Sequence, residues 1–157
     1  MSIRPANAAD VPAMTRIVAA AYAKYIARIG KPPAPMLDDY AAHVRSRTAW
    51  VIEDHGAVAG LIVLLPMDDH LLLDNVAVNP ALHGRGLGRA LMVFAEREAR
   101  RRGYQEVRLY THEAMTENLA MYPALGWQET GRREEAGYRR VFFRKPIPQE
   151  AAERPRA

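Results

Sequence analysis

The sequence contains no cysteine, and this absence removes several kinds of chemistry at once. Disulfide bonds, zinc sites built from thiolates and a cysteine nucleophile are all excluded. The chain has five histidines: His43, His55, His70, His83 and His112. Their spacing contains no pair typical of zinc ligands, so we expect no metal site.

Long apolar runs are also lacking, since no stretch approaches the roughly 20 residues that a membrane-spanning helix needs. The N-terminus shows no signal peptide, because Ile3-Arg4-Pro5 leads directly into a polar-capped helix. We therefore expect a cytoplasmic protein without a membrane partner. Its 157 residues predict a single domain over residues 1–147, followed by a flexible polar tail over 148–157.

The sequence has no large excess of one charge, since 22 Lys and Arg face 18 Asp and Glu. Arg100 to Arg102 lie in the predicted last turn of a helix, where the dipole favours cations. Later arginines alternate with Glu134 and Glu135. No recognition helix or zinc spacing is visible. The basic residues therefore indicate a solvated face, and we expect no nucleic-acid partner.

Periodicity and turn residues predict one mixed α/β sheet with helices on both faces. We expect a helix after the N-cap Asp10 and a hairpin around Asp54-His55-Gly56. Three further helices are predicted over about 37–45, 86–102 and 116–125. Strands are predicted at Ile3-Arg4 and over about 49–53, 58–65, 71–78, 106–110, 127–132 and 138–144.

The most informative segment runs from Asp74 to Arg89, where an apolar strand enters a glycine-rich turn and then a helix. A helix N-terminus leaves N–H groups unpaired and attracts anions, and glycine lets a phosphate come close to the backbone. A P-loop is excluded, because Arg89-Ala90 stand where Lys-Ser/Thr should be. The dinucleotide fingerprint is excluded too, because Arg89 occupies the position of its third glycine. Another phosphate-bearing ligand is indicated.

The segment His83-Gly84-Arg85-Gly86-Leu87-Gly88 resembles the acyl-CoA loop of the GNAT superfamily, the Gcn5-related N-acetyltransferases. That loop follows a strand ending in Ala-Val, and only its first position departs, with His83 in place of Gln or Arg. The resemblance implies the GNAT fold, with a mostly antiparallel mixed sheet of about six or seven strands and about four helices. It also implies that acetyl-CoA contacts Val76, Ala77, Val78, His83, Gly84, Arg85, Gly86, Leu87, Gly88, Arg89, Asn118 and Tyr122.

A second motif, Tyr122 followed by Gly126-Trp127, is similar to the later half of the GNAT signature. The resemblance implies that Tyr122 protonates the departing CoA thiolate and that Asn118 contacts CoA. Pro123 departs from the pattern. It disfavours the helical conformation at Tyr122 and removes one helix hydrogen bond, which predicts a kink or a helix restart.

The incoming ammonium has to lose a proton, which requires a base. Asp74 is our first choice, because it lies nearest the strand expected to hold the thioester. Asp68, Asp69, His70, His112 and Glu113 stay open as alternatives.

The acceptor side is less well marked. Tyr22 and Tyr25 of the first helix are candidate walls of the acceptor pocket, and Glu113 is a further candidate there. The resemblance thus implies an enzyme that acetylates a primary amine, on a small molecule or a peptide, by direct attack in a ternary complex. The alternative is a non-catalytic module that binds or senses acyl-CoA. A homodimer also stays open, because exposed edge strands of this fold often pair.

Overall fold

The computed structural model describes residues 1–149, so most of the predicted polar tail lies outside the described residues. Four α-helices are present: α1 (Val11–Ile29), α2 (Tyr40–Arg45), α3 (Leu87–Arg101) and α4 (Thr116–Ala124). The strands are β1 (Ser2–Pro5), β2 (Ala49–Asp54), β3 (Ala57–Pro66), β4 (Leu71–Val78), β5 (Glu106–His112), β6 (Gln128–Glu135) and β7 (Tyr138–Pro146). Every predicted helix and strand is confirmed, with ends that shift by a few residues.

The seven strands form one sheet in the order β1-β2-β3-β4-β5-β7-β6. β1 pairs with β2, β2 with β3, β5 with β7, and β6 with β7, each time antiparallel. β4 and β5 pair in parallel. The mixed, mostly antiparallel sheet with about four helices is therefore confirmed.

The chain forms two compact units. The first contains Met1–Leu65 and Asp74–Met92, and the second contains Pro66–Leu73 and the described residues from Val93 onward. The core of the first unit is built from apolar residues of α1, α2, β2, β3 and β4: Met14, Ile17, Val18, Tyr40, Ala49, Val51, Leu61, Val63 and Ala77. Their helical spacing in α1 and their alternation in the strands explain why these residues share one interior.

Asp10 stands at the N-cap position of α1, as predicted, but its side chain makes no capping hydrogen bond to this helix. Asn7 and Asp10 instead form a capping box around a 3-10 turn over Ala8–Asp10. The Asp10 carboxylate accepts from Asn7 N at 2.8 Å and from both terminal nitrogens of Arg4, at 2.7 and 3.0 Å. Arg4 on β1 thus binds the Asp10 carboxylate in an ion pair, in place of a capping bond to α1.

Replacing Asp10 by asparagine is expected to lower the free energy of unfolding at neutral pH by about 1–3 kcal/mol, because hydrogen bonds to a charged group are lost. Arg4 holds the pKa of Asp10 below its usual range. This stabilisation is therefore complete above the unfolded-state pKa and is lost as pH falls through the lower folded-state pKa. Urea unfolding at neutral and acid pH checks this, and an equal loss at both would contradict it.

β3 passes very close to β4 at Gly60. A Cβ atom at this position would lie 2.8 Å from the carbonyl oxygen of Ala77 and 3.1 Å from Cγ2 of Ile52. No real Cβ tolerates the first distance to a backbone atom, so only glycine fits here. The close approach keeps the Ala77 segment of β4 in place within the first unit.

Gly60→Ala is expected to destabilise the protein by about 1–3 kcal/mol, because the added methyl group overpacks a rigid backbone contact. Gly131→Ala is the matched control, since a Cβ there would have nothing within 4 Å. Urea unfolding of both variants measures the difference. Equal unfolding midpoints for the two variants would show that the close approach of Ala77 does not exclude a side chain at position 60.

In the second unit, β5, β7 and β6 form an antiparallel ladder in which Leu109 pairs with Phe143. A kink or a helix restart was predicted at Pro123; α4 continues through Pro123 to Ala124, so there is no restart. The proline lies in the last turn, where Leu125 N already donates to the carbonyls of Met121 and Tyr122. Only one helix hydrogen bond is lost there, and the helix ends at once.

Among the helices of residues 1–149, none has the length and apolar character required to span a bilayer.

Candidate active site

The glycine turn lies between β4 and α3 and is shaped by local sequence. The Asn79 side chain accepts from Ala81 N at 3.0 Å and starts a 3-10 turn over Pro80–Leu82. Gly84 and Gly86 then adopt left-handed conformations, with φ of 84° and 77°. Residues with a side chain rarely adopt this conformation, so the glycines let the chain turn directly into α3.

The turn is open on its outer side. A Cβ added at Gly84 or Gly86 would meet no heavy atom within 4 Å. α3 is 15 residues long, and the N–H groups of its first turn have no intrahelical partner. The arrangement therefore offers unpaired backbone donors at the positive end of a helix dipole, which suits a phosphate group.

Two arginines flank these donors. Arg85 is exposed and lies 3.3 Å from the carboxylate of Asp54 in the β2–β3 turn. Arg89 is exposed and has no ion-pair partner within residues 1–149. His83, at the first position of the loop, is exposed as well. Arg89 is thus a cation available to an anion at the start of α3.

β4 carries an unusual buried polar residue next to the predicted thioester segment. Asn75 is only 3% exposed, and its Oδ1 accepts from the hydroxyl of Tyr22 at 2.6 Å. The same hydroxyl lies 3.3 Å from the carbonyl oxygen of Val76. The structure therefore brings Tyr22, a predicted acceptor-side residue, to the strand that contains Val76, Ala77 and Val78.

The polar contacts continue from Asn75 to α2. Asn75 Nδ2 donates to the Tyr40 hydroxyl at 2.8 Å, and that hydroxyl donates to the Pro35 carbonyl at 2.6 Å. Burial, together with the nearby Asp38 carboxylate, raises the pKa of Tyr40. Sequence reasoning missed this network. An asparagine at a core-facing position of an apolar strand was the available signal.

Asp74, the predicted base, lies near two residues that the motif analysis did not connect with it. Oxygen and nitrogen atoms of Asp38, His43 and Asp74 all lie within 4.8 Å of one another. In the sequence, His43 lacks zinc-ligand spacing, and no motif marks Asp38. The three residues come from separate segments of the first unit, so their spacing in the sequence carries no signal.

Tyr25 lies one turn after Tyr22 on α1 but has a different environment. It is 6% exposed, and its ring centroid is 6.1 Å from that of Tyr22. Lys24 and Arg28 place their charged groups 5.1 and 5.3 Å from the Tyr25 ring. Its burial makes Tyr25 part of the packing around Tyr22.

The second unit contains the other predicted site residues. Tyr122 of α4 is 6% exposed, with ring centroids 5.9 Å from Trp127 and 5.5 Å from Phe143. Asn118, one turn earlier, donates to the hydroxyl of the buried Thr111 at 3.2 Å. The aromatic contacts hold the Tyr122 ring at a defined position, which a proton donor requires.

Glu113 follows β5 and lies among arginines of the β6–β7 hairpin. Its carboxylate oxygens are 3.9 Å from Arg132 and 3.5 Å from Arg139. These residues line a shallow groove of about 270 Å³ in the second unit. The exposed ion pairs indicate a charged surface residue.

The sequence matches the family model of the Acetyltransferase (GNAT) family over residues 14–127. It is 35% identical over 88 residues to N-acetyltransferase family 8 member 3 of Rattus norvegicus, a match covering 52% of this chain and 39% of that protein. The chain therefore spans about two fifths of the length of that relative.

Two solved structures show the same fold. The ribosomal-protein-S18-alanine N-acetyltransferase of Escherichia coli superposes with a TM-score of 0.76 at 23% identity, covering 99% of each chain. The PaiA N-acetyltransferase of Thermoplasma acidophilum, solved in complex with coenzyme A, has a TM-score of 0.73 at 16% identity, covering 92% of this chain and 98% of that one. The family model extends from α1 to Trp127, and the two solved structures share the fold along nearly the whole length of this chain. The chain belongs to the GNAT acetyltransferase family.

Proposed function

We propose that the chain is an acetyl-CoA-dependent N-acetyltransferase that acetylates a primary amine by direct attack in a ternary complex. The observation that carries this proposal is the open turn of Gly84 and Gly86, which leads directly from β4 into the N-terminus of α3. Membership in the GNAT family supports the same function. A coenzyme A complex of a protein with the same fold supports the choice of ligand.

The residues present fit the phosphates of CoA. Leu87, Gly88 and Arg89 begin α3, so their N–H groups have no partner within the helix and lie at the positive end of its dipole. The Arg89 guanidinium adds a positive charge there, and guanidinium groups bind phosphate oxygens through paired hydrogen bonds. These groups hold the pyrophosphate of the substrate.

The thioester binds along β4 at Val76, Ala77 and Val78. A backbone N–H of this segment donates to the thioester carbonyl as negative charge develops, a contribution worth about 10²–10³ in rate. Ala77 is buried and is kept in place by Gly60. Its backbone is therefore held before the reaction begins.

Acetyl transfer moves two protons away from the acceptor ammonium. Asp74 takes the first, which leaves a neutral amine. The amine nitrogen attacks the thioester carbon, the C–N bond forms and the C–S bond breaks. Tyr122 then gives its phenolic proton to the CoA thiolate, and it is reprotonated by the second proton of the nitrogen. One proton is released to solvent in each turnover.

CoA release from acetyl-CoA, measured against a panel of amines, tests this function. The panel contains small amines, polyamines, aminoglycoside antibiotics, a lysine peptide and a peptide with an N-terminal alanine. The last is chosen because one structural neighbour is named for an alanine acceptor. Turnover on any of these supports the proposal. Tight CoA binding without turnover would instead support a sensing module.

That the acceptor amine belongs to a small molecule or a peptide remains a prediction. A cytoplasmic location and a homodimer also remain predictions. β6 is the last strand in the sheet order, and all but one of its side chains are exposed. This edge supports pairing with a second copy. Analytical ultracentrifugation of the purified chain tests the dimer.

A further inference from the structure

The two arginines of the glycine turn stand in different electrostatic surroundings. Arg89, in the first turn of α3, is exposed and has no ion-pair partner within residues 1–149. Arg85 is paired instead, since its Nη1 donates to Oδ2 of Asp54 at 3.3 Å. Asp54 ends β2, so the pair joins the glycine turn to the β2–β3 hairpin within the first unit. One of the two cations next to the start of α3 is thus already bound to a carboxylate.

The two members of this ion pair differ in burial. The Asp54 side chain is 16% exposed, whereas that of Arg85 is 50% exposed. The other carboxylate oxygen of Asp54 lies 3.8 Å from Nε2 of His55, whose side chain is 83% exposed. Arg85 is therefore the nearer cation to Asp54 among the described residues. The hairpin holds the carboxylate, and the arginine is the partner that can move.

The surroundings of Arg85 leave its side chain room to move. A Cβ atom added at either neighbouring glycine would meet nothing within 4 Å. Exposed side chains change rotamer within nanoseconds. Arg85 precedes Leu87, the first residue of α3, by two positions, which span at most about 7 Å of chain. An extended arginine side chain covers such a distance, so the guanidinium can reach an anion at the start of α3.

A phosphate group at that position competes with Asp54 for Arg85. An exposed ion pair between two side chains changes an equilibrium by about 5-fold at most. A guanidinium binds phosphate oxygens through paired, charge-assisted hydrogen bonds, which are about twice as strong as neutral ones. The phosphate therefore displaces the carboxylate. Asp54 then loses its partner and lies near a second anion, so part of the binding energy is lost.

We propose that Asp54 weakens CoA binding by competing with the CoA phosphates for Arg85. The inference rests on the part of the proposed function in which the glycine turn binds CoA. When CoA binds, the guanidinium leaves the Asp54 carboxylate and donates to a phosphate oxygen, and it returns when CoA leaves. The ion pair thus favours the release of CoA, a step that each round of acetyl transfer requires.

The test measures the dissociation constant of CoA by calorimetry in variants of the full chain. Asp54→Asn removes the charge but keeps the shape, and it is expected to tighten CoA binding about 3-fold. Arg85→Gln is expected to weaken it about 10-fold, because a charged donor to phosphate is lost. The double variant is expected to match Arg85→Gln, because Asp54 acts through Arg85.

Two controls separate this competition from a general charge effect. Glu53→Gln removes the same charge one residue earlier, but the Glu53 carboxylate is paired with Arg4 at 2.8 Å. This variant is expected to bind CoA as wild type does. Pantetheine, which lacks the phosphates of CoA, is expected to bind equally to the wild type and to Asp54→Asn. Thermal unfolding of each variant checks that the fold is intact.

The outcomes distinguish this inference from the proposed function. A wild-type chain that does not bind CoA overturns both. Tighter CoA binding in Asp54→Asn, with no acetylation of any amine by the wild type, supports the competition and overturns the proposed enzyme. Unchanged or weaker CoA binding in Asp54→Asn overturns the competition. Equal tightening in Glu53→Gln, or tightening that persists without Arg85, overturns it as well, because the effect would then come from net charge.

Discussion

Replacing Tyr122 by phenylalanine is expected to lower kcat for acetyl transfer about 100-fold or more, because a positioned proton donor contributes about 10²–10⁴ in rate. The dissociation constant of CoA is expected to stay nearly unchanged. The variant keeps the ring, so the contacts with Trp127 and Phe143 are retained. Steady-state kinetics with acetyl-CoA and calorimetric binding of CoA separate the two effects.

Tyr104→Phe is the matched control for this variant. The Tyr104 hydroxyl donates to the Met67 carbonyl at 2.8 Å and has no assigned role in the reaction. We expect wild-type kcat in the control and similar thermal stability in both variants. If Tyr122→Phe keeps wild-type kcat, Tyr122 is not the acid, and the thiolate receives its proton from elsewhere.

The second large effect is expected from Gly86→Val. Gly86 has a φ of 77°, and a β-branched residue in this region is a strong outlier. The turn has to change its path, so the first N–H groups of α3 no longer meet a phosphate together. CoA affinity is expected to fall about 10-fold or more, since each 1.4 kcal/mol of binding energy is tenfold in affinity. Isothermal titration calorimetry with CoA measures this.

Gly103→Val imposes the same backbone strain at the other end of α3. Gly103 has a φ of 81°, and a Cβ there would have nothing within 4 Å. Both variants are expected to lose a similar amount of stability, whereas only Gly86→Val loses CoA affinity. Equal CoA affinity in the two variants would show that the turn at Gly86 does not bind the phosphates.

Much of the fold could be predicted because it depends on local patterns. The hairpin around Asp54-His55-Gly56 is an example. His55 and Gly56 both have positive φ, at 51° and 77°, as a tight hairpin turn between β2 and β3 requires. The glycine turn before α3 could be located for the same reason, since a few consecutive residues determine its conformation.

The differences occur where the outcome depends on which partner a side chain meets or on where a residue lies within its helix. Asp10 is the N-cap residue of α1, as predicted, but its carboxylate binds Arg4 of β1 and Asn7 N and makes no capping bond to the helix. Pro123 was predicted to cause a kink or a helix restart, but it lies in the last turn, and α4 continues to Ala124 without a restart. Which partner a polar side chain binds depends on the residues that lie near it in the folded chain. The local sequence pattern does not contain this information.

The sequence by itself determined the elements, the glycine turn and the family, because helix and strand periodicity and turn residues act over short ranges. Only the tertiary structure decided which polar groups meet. Tyr22, Tyr40 and Asn75 share hydrogen bonds across α1, α2 and β4, and Asp38 and His43 come to Asp74. These residues lie far apart in the chain, and they meet because the apolar faces of α1 and α2 pack on the sheet.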